Sequence, residues 1–239
     1  MIKIAVNGAL GRMGSRILAL AGEKPNDFKV AHSFDLEKAE SLLPYAAGEK
    51  KLACDVLIDF SGPDGANQCA AAAHHSKKGL VIGSTGLDDE FLKKIKGLAE
   101  GIPVVLSSNM SVGVNVMLTL IEEAAKKLSD DFSVRMTEAH HIHKKDAPSG
   151  TALMLLKALA GAKGWGSERT QQERDRIQSI REAEIVGDHT VIFSGPAESI
   201  EITHRAQSRD TFARGALLAA KFAAQAKPGR LYSMMDVLK

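Results

Sequence analysis

Ile2-Lys3-Ile4-Ala5-Val6-Asn7-Gly8-Ala9-Leu10-Gly11-Arg12-Met13-Gly14 runs from a β-branched stretch through spaced glycines into a segment of helical period. A strand that stops at a glycine turn and continues as a helix begins a βαβ unit. Glycine lets the backbone turn sharply and approach a pyrophosphate, and the helix N-terminus supplies N–H groups and a favourable dipole. The spacing is G-x-x-G-x-x-G, without glycine at position 10, and by itself it fits a plain tight connection equally well. Asp35 adds weight. It falls 21 residues beyond Gly14, at the end of the second strand pattern, where a carboxylate can accept hydrogen bonds from a ribose diol rather than serve as an ordinary turn residue.

Outward from that turn, short apolar runs at Ile2–Val6, Phe28–His32, Val56–Phe60, Leu80–Ile82 and Pro103–Leu106 alternate with helical patterns at 12–22, 64–78 and 88–100. Such alternation predicts an α/β fold with a parallel sheet covered on both faces, and with the glycine turn and Asp35 it predicts a dinucleotide-binding domain over residues 1–111. After Ser111 the rhythm changes to a helix at 114–128, a strand at 132–139, a histidine-rich loop, a helix from about Ser149 to Ala162, and strands near 189–193 and 198–204. This predicts a second, α+β domain over 112–209. The polar stretch 163–181 receives no role. A final helix near 210–226 and an apolar tail through Leu238 are expected to return to the first domain and complete it.

Composition narrows the class. The 239 residues, 44% of them hydrophobic, suffice for a real core, and a net charge of +2 leaves no footprint for nucleic acid or an acidic membrane. Cys54 and Cys69 follow no metal or disulfide spacing, which fits reduced thiols in the cytoplasm. No signal-like leader or long apolar run is seen, so secretion and membrane insertion are not expected.

The cofactor side of the sequence contains Gly8, Ala9, Leu10, Gly11, Arg12 and Met13 in the first turn, with Asp35 beyond it. Two more loops, Gly83-Ser84-Thr85-Gly86 and Ser107-Ser108-Asn109-Met110, follow strand patterns at their carboxyl ends, where open α/β sheets place ligands. Asp35 followed by Leu36 favours the free ribose of NADH. Arg12 and Lys38 keep a 2′-phosphate, and hence NADPH, within reach.

Residues 138–152, Glu-Ala-His-His-Ile-His-Lys-Lys-Asp-Ala-Pro-Ser-Gly-Thr-Ala, carry the chemistry. Imidazole moves protons near neutral pH, ammonium pairs with carboxylates, and a helix start attracts anions. Asp146 or Ser149 is placed to cap that helix, with Pro148 in its first turn and the N–H groups of Gly150 and Thr151 toward a ligand carboxylate. Three histidines in four residues also suggest zinc, but adjacent His140 and His141 diverge along an extended chain, and Lys144 and Lys145 repel a cation. No metal is expected. Solvated histidines in a polar turn remain the plain alternative.

The stretch Glu138–Ala152 resembles the signature of the 4-hydroxy-tetrahydrodipicolinate reductase (dihydrodipicolinate reductase) family of lysine and diaminopimelate biosynthesis. Gly8–Gly14, Val81–Gly86, Ser108–Asn115, Ile185–Thr190 and Glu201–Arg209 match in the same order, so the resemblance covers nearly the whole chain. It implies a Rossmann-type N-terminal domain completed by the C-terminal helix, and a mixed-sheet substrate domain that assembles a homotetramer. It also implies hydride delivery from NADH or NADPH to C4 of the conjugated imine formed when a cyclic hydroxy dicarboxylate loses water. His140 then matches a proton donor/acceptor and Lys144 a proton donor, while His141, Ser149, Gly150 and Thr151 match substrate-binding positions. Two departures stand out. Leu36 replaces an arginine found in many relatives, and Arg181-Glu182-Ala183-Glu184 replaces an Arg-x-Gly turn, so a changed loop is expected there. The competing readings are another NAD(P)-dependent reductase or dehydrogenase, of homoserine- or aspartate-dehydrogenase type, and a nucleotide sensor without catalysis. A sensor would have no use for His140 and Lys144.

Overall fold

Strand β1 (Ile2–Asn7) passes through the glycine turn into helix α1 (Arg12–Gly22) and returns as β2 (Phe28–Phe34), parallel to β1 with Ile2 opposite Phe28. The computed structural model describes residues 1–36 and 39–239; Lys38 lies outside the described residues. A one-turn helix α2 (Leu43–Ala46), unannounced by any periodicity, follows. Then β3 (Val56–Asp59), α3 (Pro63–Ser76), β4 (Gly79–Ile82), α4 (Asp89–Leu98) and β5 (Val104–Leu106) repeat the pattern. Strands β3 and β4 are buried at every position, which is why they read as unbroken apolar runs rather than alternating ones.

The next segment holds α5 (Val112–Lys127), β6 (Ser133–His140), α6 (Gly150–Lys163), α7 (Ser167–Asp175), β7 (Gln178–Arg181), β8 (Gly187–Ser194) and β9 (Ser199–Ala206). The sheet order is β7-β6-β8-β9, with β7 parallel to β6 and the other pairs antiparallel. Residues 163–181, left without structure by the sequence reading, therefore contain a helix and a strand. α7 has no apolar stripe; its buried Glu173 is held by Arg169 at 2.8 Å and Arg176 at 3.1 Å. Ala183 has φ +47°, the left-handed region, so this turn keeps a glycine-like backbone although an alanine occupies it.

The chain then forms α8 (Asp210–Ala223), β10 (Leu231–Tyr232) and α9 (Met234–Val237). β10 joins the first sheet beside β5, giving the all-parallel order β10-β5-β4-β3-β1-β2. α8 lies on α1. Its buried alanines 213, 216, 219, 220 and 223 let it approach closely, and Arg16 clamps Asp210 through two bonds of 2.7 and 2.8 Å.

Two compact units result: Met1–Val112 with Arg209–Lys239, and Gly113–Ser208. The first is a Rossmann-type layer of six parallel strands with an apolar core on each face. In the second, pleating sorts the side chains. Met136, Val191 and Phe193 point into the core with Leu155, Leu156 and Leu159 of α6, whereas Thr137, Thr190, Ile192 and Thr203 occupy the opposite face. Among the described residues no helix is long and apolar enough to cross a membrane.

Candidate active site

In the first unit the strand carboxyl ends bring the expected loops to one edge. Gly8 has φ +74°, and a Cβ there would stand 2.6 Å from the Phe60 carbonyl oxygen; at Gly14 it would stand 2.1 Å from the carbonyl oxygen of Gly8. The turn therefore demands glycine at both ends. No side chain caps α1 at Gly11, which leaves first-turn N–H groups open to an anion. Asp35 Oδ2 accepts from the Leu10 N–H at 2.8 Å and Oδ1 from the Leu36 N–H at 2.8 Å, so the carboxylate is tied to the glycine turn. A cleft of about 700 Å³ is lined by Gly8, Leu10, Gly11, Asp35, Ser61 and Gly62 among others. These features fit a dinucleotide: a pyrophosphate at the helix start and a ribose at Asp35.

Not every expected residue offers a side chain there. Ala9 and Met110 are buried, and Met13 packs against the core, so they contribute backbone at most. Arg12, Thr85 and Ser108 are exposed, while Gly83 packs so tightly on the Phe60 ring that a Cβ would lie 2.2 Å from it. Ser107 donates to the Asn109 carbonyl at 2.7 Å, and Asn109 accepts from the Ser111 N–H at 2.9 Å, fixing the entry to α5. The Ser84 hydroxyl is committed too. It donates to Asp59 at 2.6 Å and accepts from the Gly62 N–H at 3.0 Å. Fully buried Asp59, which the sequence reading passed over, also accepts from Asn7 at 2.9 Å and Ser61 at 2.5 Å, and so ties the ends of β1, β3 and β4 together. An Asp at the end of an apolar run was the available signal.

In the second unit the inward face of the sheet turns polar at one end. Glu138 and His140 on β6, Arg181 on β7, and Gly187 and His189 on β8 project to the same side because alternate residues share a face. Glu138 is 1% exposed and binds Arg181 bidentately, with Nη2 to Oε1 at 2.8 Å and Nη1 to Oε2 at 3.1 Å. Its Oε2 also accepts from His140 Nδ1, and its Oε1 from the Ser149 N–H at 3.3 Å. That contact assigns the His140 proton to Nδ1 and leaves Nε2 as an acceptor beside Gly187, where a Cβ would stand 3.0 Å from it. His189 meets His140 edge to face at 5.1 Å and pairs with the Ser149 hydroxyl at 3.0 Å.

Ser149, not Asp146, caps α6, accepting from the Ala152 N–H at 3.1 Å. With its N–H and hydroxyl both engaged, Ser149 shapes the helix start rather than offering a free group. Pro148 precedes the cap instead of sitting in the first turn, and Gly150 is exposed at that turn with Thr151 half-buried beside it. Asp146 instead pairs with the Lys144 ammonium at 2.9 Å. His141 leaves the sheet and lies 6.2 Å from His143, ring to ring.

Burial and charge set the protonation. Burial pushes His140 below its ordinary range, against the pull of Glu138 and with help from Lys144 and Arg181, so it is neutral at pH 7. Burial would raise Glu138, but hydrogen bonds from Arg181, Ser179 and His140 outweigh it and keep the carboxyl below its usual range. His189 is pushed down to about 3 by burial. Ligand atoms of Glu138, His140 and His189 lie within 4.8 Å of one another, a spacing that a cation could close. Both Glu138 oxygens already bind a guanidinium, however, so a cation would have to displace Arg181, and the donor set fits a hydrogen-bonded cluster better than a metal centre.

The family model for the dihydrodipicolinate reductase N-terminus matches residues 2–110, and that for the C-terminus residues 113–238. The chain belongs to the dihydrodipicolinate reductase family. The family's 4-hydroxy-tetrahydrodipicolinate reductases from Syntrophotalea carbinolica and Geotalea uraniireducens are 42% and 41% identical to it, over 100% of this chain and 99% of each relative. The first alignment spans 269 positions against 239 residues here, so that relative carries segments this chain lacks. Dipicolinate-bound dihydrodipicolinate reductase from Paenisporosarcina sp. TG-14 superposes with a TM-score of 0.80 at 20% identity, covering 98% of this chain and 97% of that one. At that identity the likeness speaks for the fold. The family uses NAD(P)H, in keeping with the glycine turn and cleft.

Proposed function

We propose that this chain reduces 4-hydroxy-tetrahydrodipicolinate to tetrahydrodipicolinate with NAD(P)H, NADH being the favoured donor, in lysine and diaminopimelate biosynthesis. The observation that carries the reading is the Glu138–His140 pair set beside Lys144 and the start of α6, within a chain of this family. Overall, the cyclic substrate, NAD(P)H and one proton become product, NAD(P)+ and water. Bound NAD(P)H supplies the hydride to ring carbon C4. The protein supplies charge, orientation and the proton.

Lys144 holds the central role. Its ammonium is paired with the 58%-exposed Asp146, a partner that a substrate carboxylate can replace. From there it offers the proton that the conjugated ring takes up after hydride addition. Neutral His140 presents Nε2 as an acceptor, able to take a proton or stabilise positive charge on the ring imine. The Gly150 and Thr151 N–H groups with His141 receive the second carboxylate; each charge-assisted bond of this kind contributes about 1.5–3 kcal/mol. The first unit binds the cofactor through Gly8, Gly11 and Asp35, and Leu36 in place of arginine favours NADH. Assembly as a homotetramer through the second unit is supported by the sheet face of Thr137, Thr190, Ile192 and Thr203, none of it fully buried. Two buried free thiols support a cytoplasmic site.

The test is absorbance at 340 nm, with substrate generated in place from pyruvate and aspartate semialdehyde by its synthase. Substrate-dependent oxidation, faster with NADH than with NADPH, is expected. Lys144→Ala is expected to lose about 100-fold or more in turnover, the ordinary contribution of a positioned proton donor, while NADH still binds by fluorescence titration. Wild-type turnover in that variant would end the assignment.

A further inference from the structure

We propose that Arg181 is a positioning residue for the reaction, acting through Glu138 to hold His140 with its proton on Nδ1 and Nε2 open. The inference rests on the reading of His140 as a group that faces substrate, and it gives a role to a residue of the 163–181 segment.

A carboxylate as deeply buried as Glu138 would ordinarily take up a proton to avoid an unpaired charge. The planar guanidinium matches both its oxygens, so Glu138 stays ionised and can accept the His140 Nδ1–H. A protonated or displaced Glu138 would no longer select that tautomer, and Nε2 could carry the hydrogen instead. Register makes the arrangement possible. Parallel pairing sets Arg181 opposite His140 and Ser179 opposite Glu138, so the guanidinium reaches along the same face to the carboxylate one residue pair away.

Arg181 is itself anchored at two further points. Nη2 donates to the Asp146 carbonyl at 2.6 Å and Nη1 to the Ile180 carbonyl at 2.7 Å. Glu138 in turn receives the Ser149 N–H at the cap of α6. One guanidinium thus connects the histidine, the Lys144–Asp146 loop and the start of the carboxylate-binding helix. The geometry resembles an orienting carboxylate behind a catalytic or ligating histidine, where loss of the outer partner costs about 10–100-fold.

The test is a double-mutant cycle on the full chain with Arg181→Gln, His140→Gln and the combination, measuring kcat and the KM for NADH and for the cyclic substrate. Arg181→Gln should lower kcat by about 10–100-fold and leave the KM for NADH unchanged. In the His140→Gln background the same substitution should cost no more than about two-fold, because residues acting as one unit are not additive. Unchanged kcat in Arg181→Gln, or losses that multiply in the double variant, would overturn the proposal while leaving the role of His140 standing. Full activity of His140→Gln would overturn that role, and the proposal with it. If Arg181→Gln does not give a cooperative melt, Arg181→Lys, which keeps the charge but loses the fork, carries the same cycle.

Discussion

Replacing Ala183 by glycine should stabilise the second unit, although it removes an atom and adds no contact. Ala183 sits at φ +47°, where a Cβ crowds the neighbouring carbonyl at a cost of about 1–2 kcal/mol. Glycine adopts that conformation freely but loses about 0.5–1 kcal/mol more conformational entropy on folding. The difference favours glycine by about 0.5–1 kcal/mol, which for a chain of this size is a rise of about 1–4 °C in Tm. The turn is well anchored: Glu182 N–H donates to the His140 carbonyl at 2.9 Å, and the Ala183 carbonyl accepts from Ile142 at 3.4 Å. Relaxation elsewhere therefore cannot easily relieve the residue. Trp165, the single tryptophan, lies in the same unit, so its fluorescence follows the relevant transition even if the two units melt separately. Ala183→Val supplies the opposite sign, since a β-branched residue tolerates this region worse than alanine. A lowered Tm in Ala183→Gly, or equal melting of the glycine and valine variants, would refute the claim of strain.

Gly187→Ala puts a methyl group 3.0 Å from His140 Nε2, and a shift of about 1 Å at such a group can cost 100-fold, so kcat should fall sharply with little change in NADH binding; wild-type kcat would show that Nε2 is not used. Leu36→Arg, at a 96%-exposed position beside Asp35, should raise the NADPH-to-NADH ratio of kcat/KM by about ten-fold, read at 340 nm. Stability should fall as pH drops below about 6.5, by about 1.4 kcal/mol per unit down to about 3, because unfolded His189 takes up a proton that the buried ring refuses. Above that window the contribution is fully present; urea unfolding followed by Trp165 fluorescence should show a shallower acid limb for His189→Gln, and an unchanged limb would assign it to other groups.

The first unit was legible because its signals are local. An unbroken apolar strand, a glycine turn and a helical period each fall within about a dozen residues, and repetition makes the parallel sheet. The histidine loop was legible as chemistry because residue type alone limits what it can do. The partners of that loop were not. Arg181 is 43 residues from Glu138, and His189 is 40 from Ser149, distances over which no period or motif reports contact. α7 escaped for a related reason: its buried residue is Glu173, satisfied by arginines one turn away on either side, so the helix has no apolar stripe to betray it. Asp59 and Ser84 show the same limit in the first unit, where a reader sees an acid and a hydroxyl but not the hydrogen bond between them.

Why the histidine cluster forms follows from strand periodicity and from what covers each end of one sheet face. Met136, Glu138 and His140 lie two apart on β6, and Gly187, His189, Val191 and Phe193 lie two apart on β8, so every one points inward. Where α6 covers the face, those positions must be apolar and are Met136, Val191 and Phe193. Where α6 begins, its serine cap and the Ser149 N–H face the sheet, and there the same alternation supplies Glu138, His140 and His189. The polar cluster is thus the continuation of the hydrophobic core by other residue types. An unpartnered polar group is costly in a dry setting, so the face admits few arrangements; the one adopted leaves His189 Nδ1 and Arg181 Nε without partners and sets His140 Nε2 beside Gly187.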